Sequence, residues 1–169
     1  MADGLHSKRL SLDTNVLLDL AAGHRFAVDF KEEFQRRKYA LQVVPGVMAE
    51  LSALALKGND EQRDRASVTL DHLLGWGITP IILTEAEKTY RKNFMSIVEE
   101  RRILPAKEVN DARILADTGI AQIPILVTSD GGILDADPFA LSLAFEDAGL
   151  CVVRPAHPAK LARLYKKSR

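Results

Sequence analysis

Four carboxylates in this sequence stand at or near seams where a strand-like run gives way to a helix-like one. Asp13 closes RLSLD ahead of NVLLDLAAG, Glu50 follows ALQVV within VVPGVMAE, Asp130 ends ILVTSD, and Asp111 lies near the start of VNDARILADTG. Open parallel sheets form their ligand crevice at the carboxyl ends of the strands. Asp13, Glu50 and Asp130 would share that edge, and Asp111 joins them if its helix packs beside it. Two carboxylates about 4 Å apart repel by roughly 4 kcal/mol at an effective dielectric near 20. Some must therefore hold protons, or a divalent cation must join them. Oxygen-only ligands suit Mg²⁺ or Mn²⁺, which polarise phosphoryl groups and acidify water. That is the chemistry of phosphodiester hydrolysis. Each acid also fits a local role: Asp13 as a helix cap, Glu50 and Asp111 as first-turn acids, Asp130 as a turn residue before Gly131 and Gly132.

The elements that must position these groups alternate between strand and helix patterns. NVLLDLAAG reads as a helix closed by Gly23, with Thr14 or Asn15 to cap it. VDFKEEFQRRKYA is amphipathic through Val28, Phe30 and Phe34, and ALQVV is a second buried strand. PGVMAELSALALKGN opens a helix with Pro45, and EQRDRASVTLDHLLGWG forms another with Ala66, Leu70, Leu73 and Leu74 on one side. ITPIILT is a strand, edge-like or short because of Pro80. Residues 85–101 and VNDARILADTG are helices, ILVTSD a strand and GGILDADP a loop. FALSLAFEDAG is a helix, LCVVRP the last strand and the basic terminus a short helix. Such alternation predicts an α/β fold, a parallel sheet with helices on both faces.

A chain of 169 residues is long enough for one domain without disulfides or structural metal. The reading places a tail at 1–8, the domain at 9–155 and a basic helix or tail at 156–169. With 23 Lys and Arg against 23 Asp and Glu, no bulk field draws the protein to nucleic acid or an anionic membrane. The single cysteine, Cys151, excludes an internal disulfide framework and fits a reducing cytoplasm as a small buried strand residue. No apolar run approaches the roughly 20 residues needed to span a bilayer, and MADGLHSKRL lacks a signal-peptide pattern. The expectation is a soluble, cytoplasmic protein. His6, His24, His72 and His157 show no paired spacing for a zinc site.

The ordered set LDTNVLL, VPGVMAEL, NDARILADTG and ILVTSD resembles the PIN-domain ribonucleases, including the VapC-like toxins of prokaryotic toxin and antitoxin pairs. The resemblance runs from about Arg9 to Cys151. It rests on the ordered combination, since each piece alone is short. It implies a single PIN-like domain with a parallel sheet of about five strands. It also implies an acidic quartet at Asp13, Glu50, Asp111 and Asp130 that holds Mg²⁺ or Mn²⁺ for RNA hydrolysis. Asp13 and Asp111 would be the main ligands, with Glu50 and Asp130 completing the site directly or through water. Asn15, Thr128 and Ser129 would orient carboxylates, waters or a phosphate oxygen. One departure is Gly132, where some members carry another carboxylate. Asp135 and Asp137 stand nearby in sequence but in uncertain register.

Local basic groups, RRK at 36–38, RR at 101–102 and KLARLYKKSR, could hold an RNA backbone, although charge clusters also form solvated helix faces. Aromatic content is too low for an obvious stacking platform. The resemblance also implies an antitoxin seated on the early helices and a homodimer, whereas Phe30, Phe34, Leu51 and Leu54 by themselves read as core. Two other functions fit parts of the pattern. One is a catalytically idle PIN-like domain that binds RNA or protein. The other is a phosphotransfer protein with Asp13 as nucleophile, for which the related Asp-x-Asp phosphatases would require Asp where this chain has Asn15.

Overall fold

The computed structural model describes residues 8–166, so His6, most of the expected tail at 1–8 and the last three residues lie outside the described part. Strands β1 (Arg9–Leu12), β2 (Ala40–Val43), β3 (Ile78–Pro80), β4 (Ile125–Val127) and β5 (Arg154–Ala156) form one sheet in the order β3-β2-β1-β4-β5. Every pairing is parallel. The described helices are α1 (Thr14–Ala21), α2 (Arg25–Arg36), α3 (Pro45–Lys57), α4 (Asp60–His72), α5 (Glu85–Glu100), α6 (Val109–Ile120), α7 (Gly131–Leu134), α8 (Pro138–Asp147) and α9 (Pro158–Lys166). From β1 the chain steps outward to β2 and β3, then crosses back to β4 and β5 on the other side. Right-handed connections place the helices of the two halves on opposite faces. The expected α/β architecture is the observed one.

Burial explains the element choices. Leu10 and Leu12 are fully buried, and so is Ser11 between them, whose hydroxyl lies 3.1 Å from that of Thr118 on α6. The central strand is thus covered on both faces, with α6 on the Ser11 side. Phe30, Phe34 and Leu51 are core residues, and Leu54 is half-buried. Gly119 sits within α6 where a Cβ would lie 3.0 Å from the Phe145 ring and 3.1 Å from the Cys151 carbonyl oxygen. A side chain there would press on the ring and the carbonyl, so glycine suits that close approach of helix to chain.

Several local expectations change. Asp13, not Thr14 or Asn15, caps α1: its carboxylate accepts the Thr14 N–H at 2.8 Å. Leu74 follows the end of α4 and is 74% exposed, while Thr69 takes the buried place beside Ala66 and Leu73. β3, by contrast, is the short edge strand expected from Pro80, which pairs with Val43 without an N–H to give. The last strand lies at 154–156, not across LCVVRP: Val153 packs into the core, but pairing with β4 begins at Arg154. Cys151 precedes that strand and is half-buried. The segment GGILDADP is not a plain loop. It holds the single turn α7, whose N-cap Asp130 accepts the Ile133 N–H at 3.1 Å. After β5, α9 packs against α2, with Tyr165 edge-on to Phe34 and its hydroxyl 2.5 Å from that of Tyr39.

Candidate active site

β1 and β4 are neighbours at the middle of the sheet, and the chain leaves them toward opposite edges. The crevice at their carboxyl ends is the place such a fold reserves for a ligand. The ladder runs one residue past each strand there. The Asp13 N–H donates to Val127 O at 2.9 Å, and the Thr128 N–H to Ala156 O at 3.0 Å. Asp13 and Thr128 therefore hang side by side from the two strand ends.

Period two along β1 directs Asp13 to the same side as Ser11, the side covered by α6. The Ser11 contact at Thr118 lies two helical turns, about 10 Å, from Asp111 along that helix. Asp111, in the first turn of α6, is thereby carried to the sheet edge. Asp130 arrives from β4 through the two residues Thr128 and Ser129. Glu50 comes from the second turn of α3, one turn deeper than the first-turn position read from sequence.

The structure sets Asp111 and Asp130 close together, with Asp13 in their field and Glu50 in the field of Asp13. Charges on Glu50 and Asp130 act on Asp13, and those on Asp13 and Asp130 act on Asp111. Asp13 is almost wholly buried. Burial raises its carboxyl from an ordinary 3.8 to about 6, hydrogen bonds from Thr128 and Thr14 oppose the rise, and the charges of Glu50 and Asp130 add to it. Half-buried Asp111 is pushed up to about 8, by burial first, then by a hydrogen bond shared with Glu108, then by the charges of Asp130, Asp13 and Glu108. Without a cation this site stores protons.

A compact network holds Asp13. Thr128 Oγ1 donates to Asp13 Oδ2 at 2.7 Å and accepts the Asp130 N–H at 3.0 Å, so one hydroxyl ties two of the acids. The Asn15 amide points at both, 3.5 Å from Asp13 Oδ2 and 3.4 Å from Thr128 Oγ1, and its Oδ1 accepts the Ser129 N–H at 3.2 Å. Ser129 thus enters the network through its backbone.

The tightest acidic group was not foreseen. Ligand oxygens of Glu108, Asp111 and Asp130 lie within 4.8 Å of one another, an all-carboxylate trio suited to a hard divalent cation. Glu108 is the residue that sequence reading missed. The signal was its spacing three residues before Asp111 at a helix start, which sets both side chains on one side. Asp135 and Asp137 stay outside. Asp135 is exposed at the end of α7, and exposed Asp137 caps α8 by accepting the Ala140 N–H at 2.8 Å.

Of the basic groups, 36–38 lie just before β2, at the amino-terminal edge of the sheet and away from the acids. Arg36 and Arg37 pair with Glu33, and Arg37 also lies 4.0 Å over the Tyr165 ring. Arg101 pairs with Asp147 at 2.6 Å. Arg102 is closer to the site. With Glu108 it borders an apolar cavity of about 690 Å³ between the end of α5 and the start of α6.

No protein-family model matches the chain, and no curated protein matches it in sequence. The chain is similar to the crystal structure of VapBC2 from Rickettsia felis bound to a promoter DNA fragment, with a TM-score of 0.60 at 15% identity. The match covers 88% of this chain and 98% of that one. The chain has a PIN-like fold. In this PIN-like domain Asp13, Glu50, Asp111 and Asp130 sit on four different connections of the sheet. Among the described residues no helix is long and apolar enough to cross a membrane.

Proposed function

We propose that this PIN-like domain is a divalent-metal-dependent endoribonuclease that hydrolyses RNA phosphodiester bonds, and that it serves as the toxin of a toxin and antitoxin pair. The observation that supports the reading is the acidic group at the carboxyl ends of β1 and β4, where Asp111 and Asp130 stand close together, Asp13 lies in their field and Glu50 acts on Asp13. The donor set is all carboxylate, which fits Mg²⁺ or Mn²⁺. When bound, such an ion supplies Lewis-acid activation of a phosphoryl oxygen and of water.

The chain's own groups do the rest. Asp111 and Asp130 would hold the ion with Asp13 beside them, and Glu50 would complete the negative field. Thr128 and Asn15 fix the Asp13 carboxylate, as outer hydrogen bonds do for ligands generally. Asp13 and Asp111 would have to give up protons to hold an ion, so loading would release protons and be favoured by higher pH. Arg102 stands on the same side as Glu108 and offers a cation to the RNA backbone.

The similarity to VapBC2 supports a protein antitoxin as partner, and a homodimer and a cytoplasmic location go with the same reading. A catalytically idle binding domain would gain nothing from gathering carboxylates opposite a polyanion. An Asp13 nucleophile is disfavoured because both its oxygens are engaged, Oδ1 by the Thr14 N–H at 2.8 Å and Oδ2 by Thr128 at 2.7 Å.

The test is cleavage of labelled single-stranded RNA with Mg²⁺ or Mn²⁺, with a chelator, and with Asp13→Asn or Asp111→Asn. Cleavage by the unaltered chain with metal, lost in the other arms, is the expected result. Cleavage that persists with chelator and in both variants overturns the metal reading, and covalent phosphate on Asp13 would establish phosphotransfer instead.

A further inference from the structure

Glu108 is placed in a way that helix formation does not account for. It stands at the N-cap of α6, where a side chain ordinarily accepts from the first free amides of the helix, yet it makes no capping bond. Its carboxyl group turns instead to Asp111 and Asp130, within 4.8 Å of both. Its Oε2 is buried and meets no N–H or hydroxyl donor, and the hydrogen bond of this carboxyl group is one shared with another acid, Asp111. Once Asp111 ionises, that acceptor is left unpaired, at a cost on the order of 1–3 kcal/mol, more when it is charged. A third acid beside two others adds repulsion to that cost. Both penalties disappear if the counterpart of Oε2 is a cation.

Gly132 makes the placement feasible. A Cβ on residue 132 would collide with Glu108 Oε2 and lie 2.9 Å from Oε1 and 3.0 Å from Cδ. The Glu108 carboxylate therefore fills the volume that any side chain on residue 132 would need. A carboxylate carried on residue 132, two positions after Asp130, would occupy the same space from the other side of the crevice.

We propose that Glu108 is a direct ligand of the divalent cation held by Asp111 and Asp130, delivered from the start of α6 across Gly132, whose missing side chain leaves room for it. The proposal rests on the metal reading above and adds a residue to it. It also makes positions 108 and 132 alternative anchors for one carboxylate.

The experiment measures Mn²⁺ binding to the full chain at pH 8 by calorimetry and by the electron paramagnetic resonance signal of free Mn²⁺, with no dependence on turnover. Glu108→Gln keeps the side-chain shape and is expected to weaken Mn²⁺ binding at least tenfold. Glu108→Ala should weaken it likewise, and Glu108→Ala combined with Gly132→Asp should recover most of the lost affinity. Gly132→Asp alone, with Glu108 still in its way, should lower Tm. If the unaltered chain binds Mn²⁺ and Glu108→Gln binds it equally well, this proposal is overturned while the metal reading stands. A folded double variant that binds no better than Glu108→Ala overturns the exchange of anchors. If the unaltered chain binds no Mn²⁺, the metal reading and this proposal fall together.

Discussion

Asp13 performs two tasks whose demands conflict. As N-cap of α1 and acceptor from Thr128 it benefits from being ionised, yet it is only 2% exposed and stands in the field of Glu50 and Asp130. Burial wins, and the folded carboxyl sits at about 6 against an ordinary 3.8. The folded chain then binds this proton more tightly than the unfolded one, so the contribution of Asp13 to stability falls as pH rises from about 4 through about 6. Asp13→Asn keeps a capping side chain and removes the charge. In chelator at pH 8 the variant should be more stable than the parent by roughly 1–3 kcal/mol in urea unfolding, and the gain should vanish near pH 4. A loss of stability at pH 8 would show that the charge is not the dominant effect. Thr128→Val removes one hydroxyl that serves Asp13 and Asp130 together. It should lower RNA cleavage about 10–100-fold and stability by about 1–3 kcal/mol, read from kinetics and thermal unfolding. At this scale the sequence was informative about residue types: Asp13, Asn15, Thr128 and Asp130 are all in the network. It was silent on Glu108, because the relevance of that residue depends on a glycine far along the chain whose missing side chain vacates its space.

Each element places its acid by packing and not by propensity. α3 begins at Pro45 behind Val44, which offers no side-chain cap, and its Gly46 N–H is satisfied instead by Asp117 of α6 at 2.8 Å. Asp117 is fully buried and pairs with Arg91 of α5, Nε to Oδ1 at 2.6 Å, so α3, α5 and α6 meet at one carboxylate. The contact fixes the start of the helix that carries Glu50. Asp117→Ala would strand both the Gly46 amide and the Arg91 guanidinium, whose Nη2 is already buried without a partner. The expected loss is about 3–5 kcal/mol in urea unfolding. Replacing both partners, Arg91→Met with Asp117→Leu, should lose clearly less than Asp117→Ala alone, because no charge is then left buried and unpaired. In the sequence Asp117 is one more polar residue in VNDARILADTG, and nothing local marks it as an interhelical cap. The late start of β5 and the turn α7 depart from the sequence pattern for a related reason. Apolar character reports burial, but pairing partners decide which buried residues form strand.

For the molecule as a whole, a cation bound only by the folded state should raise its stability, by about 2.7 kcal/mol when its free concentration is 100 times Kd. Because Asp13 at about 6 and Asp111 at about 8 must give up protons to bind, the rise in Tm with Mn²⁺ should be larger at pH 8 than at pH 5.5 and should be reversed by chelator. Thermal unfolding at the two pH values checks this, and an equal rise at both would exclude these carboxyls as the ligands. The sequence by itself determined the fold class, since alternating strand and helix patterns with runs buried on both faces leave a doubly covered parallel sheet as their solution. It also determined that acids would stand at the seams, because strand ends are where such a sheet leaves room for polar groups. Only the tertiary structure decided which acids meet. The strand order makes β1 and β4 neighbours, the packing of α6 on the Ser11 face carries Asp111 to Asp13, and the bare backbone of Gly132 admits Glu108. These are distances between residues remote in the chain, and local patterns of charge and hydrophobicity do not encode them one position at a time.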